Sequence, residues 1–124
     1  MDKNTYTYII RAGDYVKIGV TKSTMRRFTQ INKDCPLEIN VVRTYGPMER
    51  KYAYKLENYL HLYFDDIREK GEWFRYNDDL PEQLDSLLQN VSVTDLTILI
   101  DEEKIKKRSI QPNISRNLGD VDGI

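Results

Sequence analysis

Tyr6-Thr7-Tyr8-Ile9-Ile10-Arg11-Ala12-Gly13-Asp14-Tyr15-Val16-Lys17-Ile18-Gly19-Val20 decides the fold. β-branched and aromatic residues on both sides of Ala12-Gly13-Asp14 predict strands over 5–11 and 15–20, joined by a tight turn. Period-2 alternation puts Lys17 opposite in direction to Val16 and Ile18, so it leaves the face those two bury. Gly19 inside a strand signals a bulge or a close approach of other atoms to the backbone.

Outward from the hairpin, Thr21 or Ser23 can cap a helix over about 22–33, with Met25 and Phe28 inward. Cys35-Pro36 ends it, because the residue before a proline avoids helical geometry. Residues 37–45 predict a third strand. Gly46-Pro47 predicts a helix start with Pro at the first helical position, and the helix runs to about Phe64. Ala53, Leu56, Leu60, Tyr63 and Phe64 recur at helical spacing and should face the core. Gly71 breaks the chain. Residues 72–76 predict a short strand, and Pro81 to about Val91 an amphipathic helix through Leu84, Leu87 and Leu88. Leu96 to Ile100 suits a short strand or a docking segment. Residues 101–124 are charged and then rich in Asn, Ser, Gly and Asp, which predicts a mobile tail.

The 124 residues give room for one domain and a tail. We expect a domain over 1–91, including its C-terminal helix, and an extension over 92–124. No apolar run approaches the length of a membrane-spanning helix, and the first residues lack a signal-peptide plan. The single cysteine, Cys35, excludes an internal disulfide and a cysteine-cluster zinc site. An intracellular compartment is expected, cytoplasmic or in a host cell's cytoplasm or nucleus, with no membrane partner. Residues 1–60 hold eleven Lys/Arg against six Asp/Glu, and residues 81–124 hold five against eight. A basic first half suits a polyanionic partner. The acidic end suits restraint of that binding or contact with a protein.

Several side chains stand out, each with an ordinary role beside the functional one. Tyr8 on a hairpin is by habit a packing aromatic, and Lys17 alone is a solvated lysine. Arg26 and Arg27 lie early in a helix whose dipole disfavours cations there. That is a local misfit of the kind that gathers at functional sites. Glu57 lies at the edge of the apolar stripe of its helix. A partly desolvated carboxylate needs a partner, either an arginine or a metal. His61, one turn later, can act as a base or phosphate ligand, or simply pack.

The ordered set of Tyr6-Thr7-Tyr8, Lys17-Ile18-Gly19, Arg27, Leu56-Glu57-Asn58-Tyr59-Leu60-His61 and Gly71-Glu72-Trp73-Phe74 resembles the GIY-YIG nuclease superfamily. It is most similar to the superfamily's short phage and viral branch, usually described as DNA-binding. The resemblance covers roughly residues 5–76. Two positions depart from the parent motif: its Gly-Ile is Tyr6-Thr7 here, and the tyrosine of YIG is Lys17. The resemblance implies an α+β fold, a small three-stranded antiparallel sheet flanked by helices. It implies phosphodiester hydrolysis in DNA with one divalent metal, Mg²⁺ or Mn²⁺. In that scheme Tyr8 activates a water, with Lys17 lowering its proton affinity. Arg27 holds the phosphate and Glu57 binds the metal. Tyr6, Tyr15, Lys22, Arg26, Lys33 and His61 are the candidate DNA-contacting residues, with Glu72 supporting the pocket. A DNA-binding module without cleavage and a viral or phage interaction protein remain the alternatives. The sequence leaves the oligomeric state open.

Overall fold

A computed structural model describes residues 2–89, 91–92 and 95–115, with side chains as far as Arg108. The hairpin forms as expected from β1 (Lys3–Ala12) and β2 (Tyr15–Thr21), with Gly13 at a φ of 61° in the turn. Helix α1 (Thr24–Asp34) follows, capped by the Ser23 hydroxyl, which accepts from the Arg26 backbone N–H. Then come β3 (Ile39–Glu49), α2 (Arg50–Tyr63), a 3-10 turn (Asp65–Ile67), β4 (Arg68–Lys70), β5 (Trp73–Arg75), α3 (Leu80–Leu88) and α4 (Leu96–Ser115).

The sheet has five strands in the order β3-β1-β2-β5-β4 rather than the three expected. Beyond those three, β5 falls on the short strand expected over residues 72–76, and β4 joins it because residues 68–75 form a second hairpin about Gly71, at φ 59°. Its outer strand, Arg68-Glu69-Lys70, is fully exposed. It is held by backbone pairing with β5 and carries no apolar pattern to betray it. All neighbouring strands run antiparallel.

Strand alternation divides the core between the two faces of the sheet. Ile9, Val16, Ile18 and Phe74 pack with Leu56, Tyr59 and Leu60 of α2, Leu80 and Leu84 of α3, and Leu96 and Ile100 of α4. Each fully buried side chain of this size contributes about 1.5–3 kcal/mol. Tyr8 and Ile10 face the other way and pack with Ile31 and Phe28 of α1. The α2 layer is tied to β1 by the Thr7 hydroxyl, which donates to the Ala53 carbonyl at 2.8 Å.

Three local expectations are corrected. Met25 is exposed rather than inward. The stripe α1 turns to the sheet is Thr24, Arg27, Phe28 and Ile31, an i, i+3, i+4, i+7 set that leaves Met25 about 100° away. Gly46-Pro47 does not start a helix but continues β3, and α2 begins three residues later. β3 is an edge strand, where a proline without an N–H is tolerated. Residues 96–100, expected as a short strand or a docking segment, are helical and dock, with Leu96 and Ile100 in the core. They open α4, which packs on α2 and carries on through residues 101–115. The segment expected as a mobile tail over 101–124 is helical as far as residue 115, and residues 116–124 lie outside the described residues.

Candidate active site

The site is assembled at β2 from four directions. Tyr8 on β1 pairs directly with Gly19 on β2. Directly opposed residues share a face, so the Tyr8 ring can lie across the glycine only because nothing projects there. A Cβ built on Gly19 would stand 2.5 Å from the Tyr8 hydroxyl and 2.6 Å from Cζ. The close approach expected at this glycine is thus made by Tyr8 itself. Phe28 of α1 closes the other side of the ring, edge to face at 5.5 Å between centroids.

Helix α1 delivers Arg27, whose Nε donates to the Tyr8 hydroxyl at 3.2 Å. Its Nη1 donates to Gln30 Oε1, also at 3.2 Å. Gln30, one turn further along, is a supporting residue that sequence reasoning missed. The i, i+3 spacing from Arg27 was the available signal. Burial is the main influence on Tyr8 and raises its pKa above the usual phenol value. The Arg27 hydrogen bond and charge act against it, while Glu72 and Glu57 reinforce the rise. The sequence expectation that Lys17 lowers the proton affinity of Tyr8 is therefore corrected: the cation on the hydroxyl is Arg27. Lys17 instead pairs with Glu72, Nζ to Oε1 at 3.5 Å, and lies 5.4 Å from the Trp73 ring centre.

Glu57 reaches the site from α2. It is half-buried at the edge of the Ala53–Leu56–Leu60 stripe. Burial is the largest cause that pushes its carboxyl up to about 7, with Glu72 adding to the shift and Lys17 opposing it. Among the described residues Glu57 has no ion pair and no side-chain hydrogen bond, so the arginine partner weighed from sequence is not present. No group of three or more His, Cys, Asp or Glu side chains among the described residues is placed to hold a metal. A Mg²⁺ that keeps most of its waters needs less, namely one or two carboxylates plus phosphate oxygens. Glu57 is half-buried and carries no ion pair among the described residues, and the second carboxylate that raises its pKa, Glu72, is itself paired with Lys17.

The remaining candidates scatter. His61 packs on the α2 side of the sheet, where its Nε2 lies 3.0 Å from the Ile18 carbonyl and its ring 5.0 Å from Phe74. Burial, ahead of the charges of Arg68 and Lys17, lowers its pKa. It braces β2 from beneath, the packing role weighed from sequence. Tyr6 is half-buried beside Gly46. Tyr15 lies at the hairpin turn under the Arg75 guanidinium, 5.5 Å from the ring centre. Arg26 and Lys33 are exposed on α1, Lys33 in the last turn where the helix dipole favours a cation. Lys22 lines a separate depression with Arg50, Lys51 and Tyr54. The structure thus joins Tyr8 to Arg27 by a hydrogen bond, sets Lys17 and Arg27 on one depression, puts Glu57 within electrostatic reach of Tyr8 and Lys17, and leaves Lys22 at a different depression. No described helix is long and apolar enough to cross a membrane.

In comparisons with known proteins, no curated protein and no solved structure matches the chain. One family model does, that of the T5orf172 domain, over residues 5–92. The match starts at β1 and ends just past α3, so it takes in every residue of the Tyr8–Arg27–Glu57 group. The chain belongs to the T5orf172 domain family, a phage-associated and nuclease-related family.

Proposed function

We propose that this domain is a metal-dependent DNA endonuclease that hydrolyses phosphodiester bonds with a GIY-YIG-type site. The observation that carries the reading is the Arg27 Nε to Tyr8 hydroxyl hydrogen bond over Gly19. Arg27 and Lys17 are the cations for phosphate oxygens, and Arg27 offsets the charge that develops in the transition state. Glu57, with Glu72 near it, would hold Mg²⁺ or Mn²⁺. When bound, that ion supplies positive charge to the leaving oxygen.

Tyr8 is the group placed to take a proton from the attacking water, and it must first give up its own. Arg27 favours the phenolate, while burial, Glu72 and Glu57 disfavour it. Neutralising Glu57 removes one of the two negative charges that keep the proton on Tyr8. The same burial supports a second reading, a DNA-binding module that does not cleave. A phenol raised by desolvation and left unassisted stays protonated at neutral pH.

A panel of labelled duplex, nicked, flapped and branched DNAs, incubated with Mg²⁺, Mn²⁺ or a chelator, separates the two. Metal-dependent cleavage that disappears in Glu57→Ala supports the endonuclease. Binding without cleavage of any member of the panel under any metal condition establishes the module.

A further inference from the structure

Beside the Tyr8–Arg27 pair lies a depression of about 350 Å³. Lys17, Arg27, Gln30, Ile31, Asp34 and Trp73 are among the residues that line it. Its contents are unusual for a phosphate-binding surface. Trp73 is the chain's only tryptophan. It occupies the β5 position paired with Lys17, on the face of the sheet where the Tyr8–Arg27 pair sits. Ile31 supplies an apolar floor. Gln30 and Asp34, one turn apart on α1, supply amide and carboxylate edges. Gln30 spends its carbonyl on Arg27, which leaves its amide N–H groups available to donate.

We infer that this depression receives one unpaired nucleobase next to the phosphate held by Arg27. The preferred substrates are then DNAs with unstacked bases, such as single strands, flaps and branch points. The inference rests on the endonuclease-site reading for the place of the phosphate and adds the substrate class. A cation pair with an aromatic and a polar rim behind it matches a nucleotide's own order of parts, phosphate and then a flat ring with hydrogen-bonding edges. In an intact duplex the bases are stacked and paired, and none is free to enter unless it is flipped out at a cost of a few kcal/mol. Base–aromatic stacking is tolerant of sequence. The pocket therefore selects for strand state more than for base identity. Gln30 and Asp34 add a modest preference among bases through their donors and acceptor.

The lone tryptophan is its own reporter. The full chain is titrated without divalent metal, so that nothing is cut, first with oligo-dT and then with a perfect duplex of equal length. Trp73 fluorescence is followed throughout, and affinity is measured separately by anisotropy. Oligo-dT should quench Trp73 saturably, at the concentration where it binds, and the duplex should bind with little quenching. Trp73→Ala should weaken oligo-dT about ten-fold while changing duplex affinity less than two-fold, in line with the usual loss on removing a stacking aromatic. Trp73→Phe should restore most of the affinity and guards against misfolding of the alanine variant. Equal quenching by both DNAs, binding of oligo-dT without quenching, or no binding to either overturns the inference. Quenching by oligo-dT in a protein that never cleaves would keep the base pocket and sink the endonuclease. Metal-dependent cleavage without quenching would do the reverse.

Discussion

Tyr8 and Gly19 stand opposite each other in the β1–β2 ladder, and the tyrosine hydroxyl occupies the space a side chain on Gly19 would need. The glycine of the Lys17-Ile18-Gly19 motif is thus explained by the tyrosine of the first motif. One residue's absence of a side chain sets where the other's oxygen meets Arg27.

Gly19→Ala should therefore damage the site and the fold together. A methyl 2.5 Å from the hydroxyl must displace the ring, and overpacking of this kind costs about 1–3 kcal/mol. Chemical denaturation measures that loss, and cleavage should fall with it. An alanine variant as stable and active as the parent would show that the Tyr8 ring moves aside freely.

Tyr8→Phe removes only the hydroxyl from a buried ring. DNA affinity should stay within a few-fold. If Tyr8 is the general base, single-turnover cleavage should drop by roughly two to four orders of magnitude. An unchanged rate would leave Tyr8 as packing and nothing more.

Arg27→Ala should lower both affinity and rate. It should also reduce the slope of log affinity against log salt by about one unit, the signature of one lost phosphate contact. If the slope is untouched, Arg27 does not meet DNA.

Glu57 gives a pH-dependent prediction. Its carboxyl is raised by burial from 4.5 to about 7 in the folded chain, so between those values the native state binds more protons than the unfolded one. Its contribution to stability is therefore complete below pH 4.5 and is lost as pH rises through 7. His61, lowered by its own burial, works in the opposite sense near pH 6.5. The informative quantity is thus the difference between wild type and Glu57→Gln. Glu57→Gln should be the more stable protein at pH 8, with the gap closing towards pH 4.5. Mg²⁺ or Mn²⁺ should raise the wild-type melting temperature at pH 8 and leave Glu57→Gln unmoved. A gap that is constant with pH would mean that Glu57 titrates normally.

Helix α4 is a structural part of the domain. Leu96 and Ile100 are buried in the main core, and Glu103 is buried beside them on the same helix. Leu96→Ala should cost about 2–5 kcal/mol, whereas alanine at the exposed Ile98 should change stability by less than about 0.5 kcal/mol. Equal effects at the two positions would place α4 outside the cooperative unit.

The hairpin, α1, the α2 core stripe and the nearness of Tyr8 and Arg27 were legible because each carries its signal locally or in motif order. β4 was not, because Arg68, Glu69 and Lys70 have no apolar member; backbone pairing with β5, the Glu69–Arg75 ion pair and the Arg68 guanidinium on Asp65 and over Phe74 hold it. α4 was misread because Leu96-Thr97-Ile98-Leu99-Ile100 is too short and too uniformly apolar to show a period. Its buried face continues into Glu103, a residue whose type gives no hint of burial. The partner of Tyr8 was misassigned for a different reason. Lys17 and Arg27 are both cations of the motif set, and only three-dimensional register decides that one reaches Glu72 and the other the hydroxyl.

β2 lies in the middle of the sheet, paired with β1 on one side and β5 on the other. The Ile18 amide, between Lys17 and Gly19, is bonded to the Glu72 carbonyl. Neither edge strand, β3 nor β4, is paired with it. Fraying at either rim of the sheet can therefore proceed without loosening the strand on which the site is built. In hydrogen-exchange terms, the amides of Val16 and Ile18 belong to the last unit to open and should exchange only through global unfolding, later than those of Arg68–Lys70. The strand that carries Lys17 and Gly19 is then as long-lived as the native state itself.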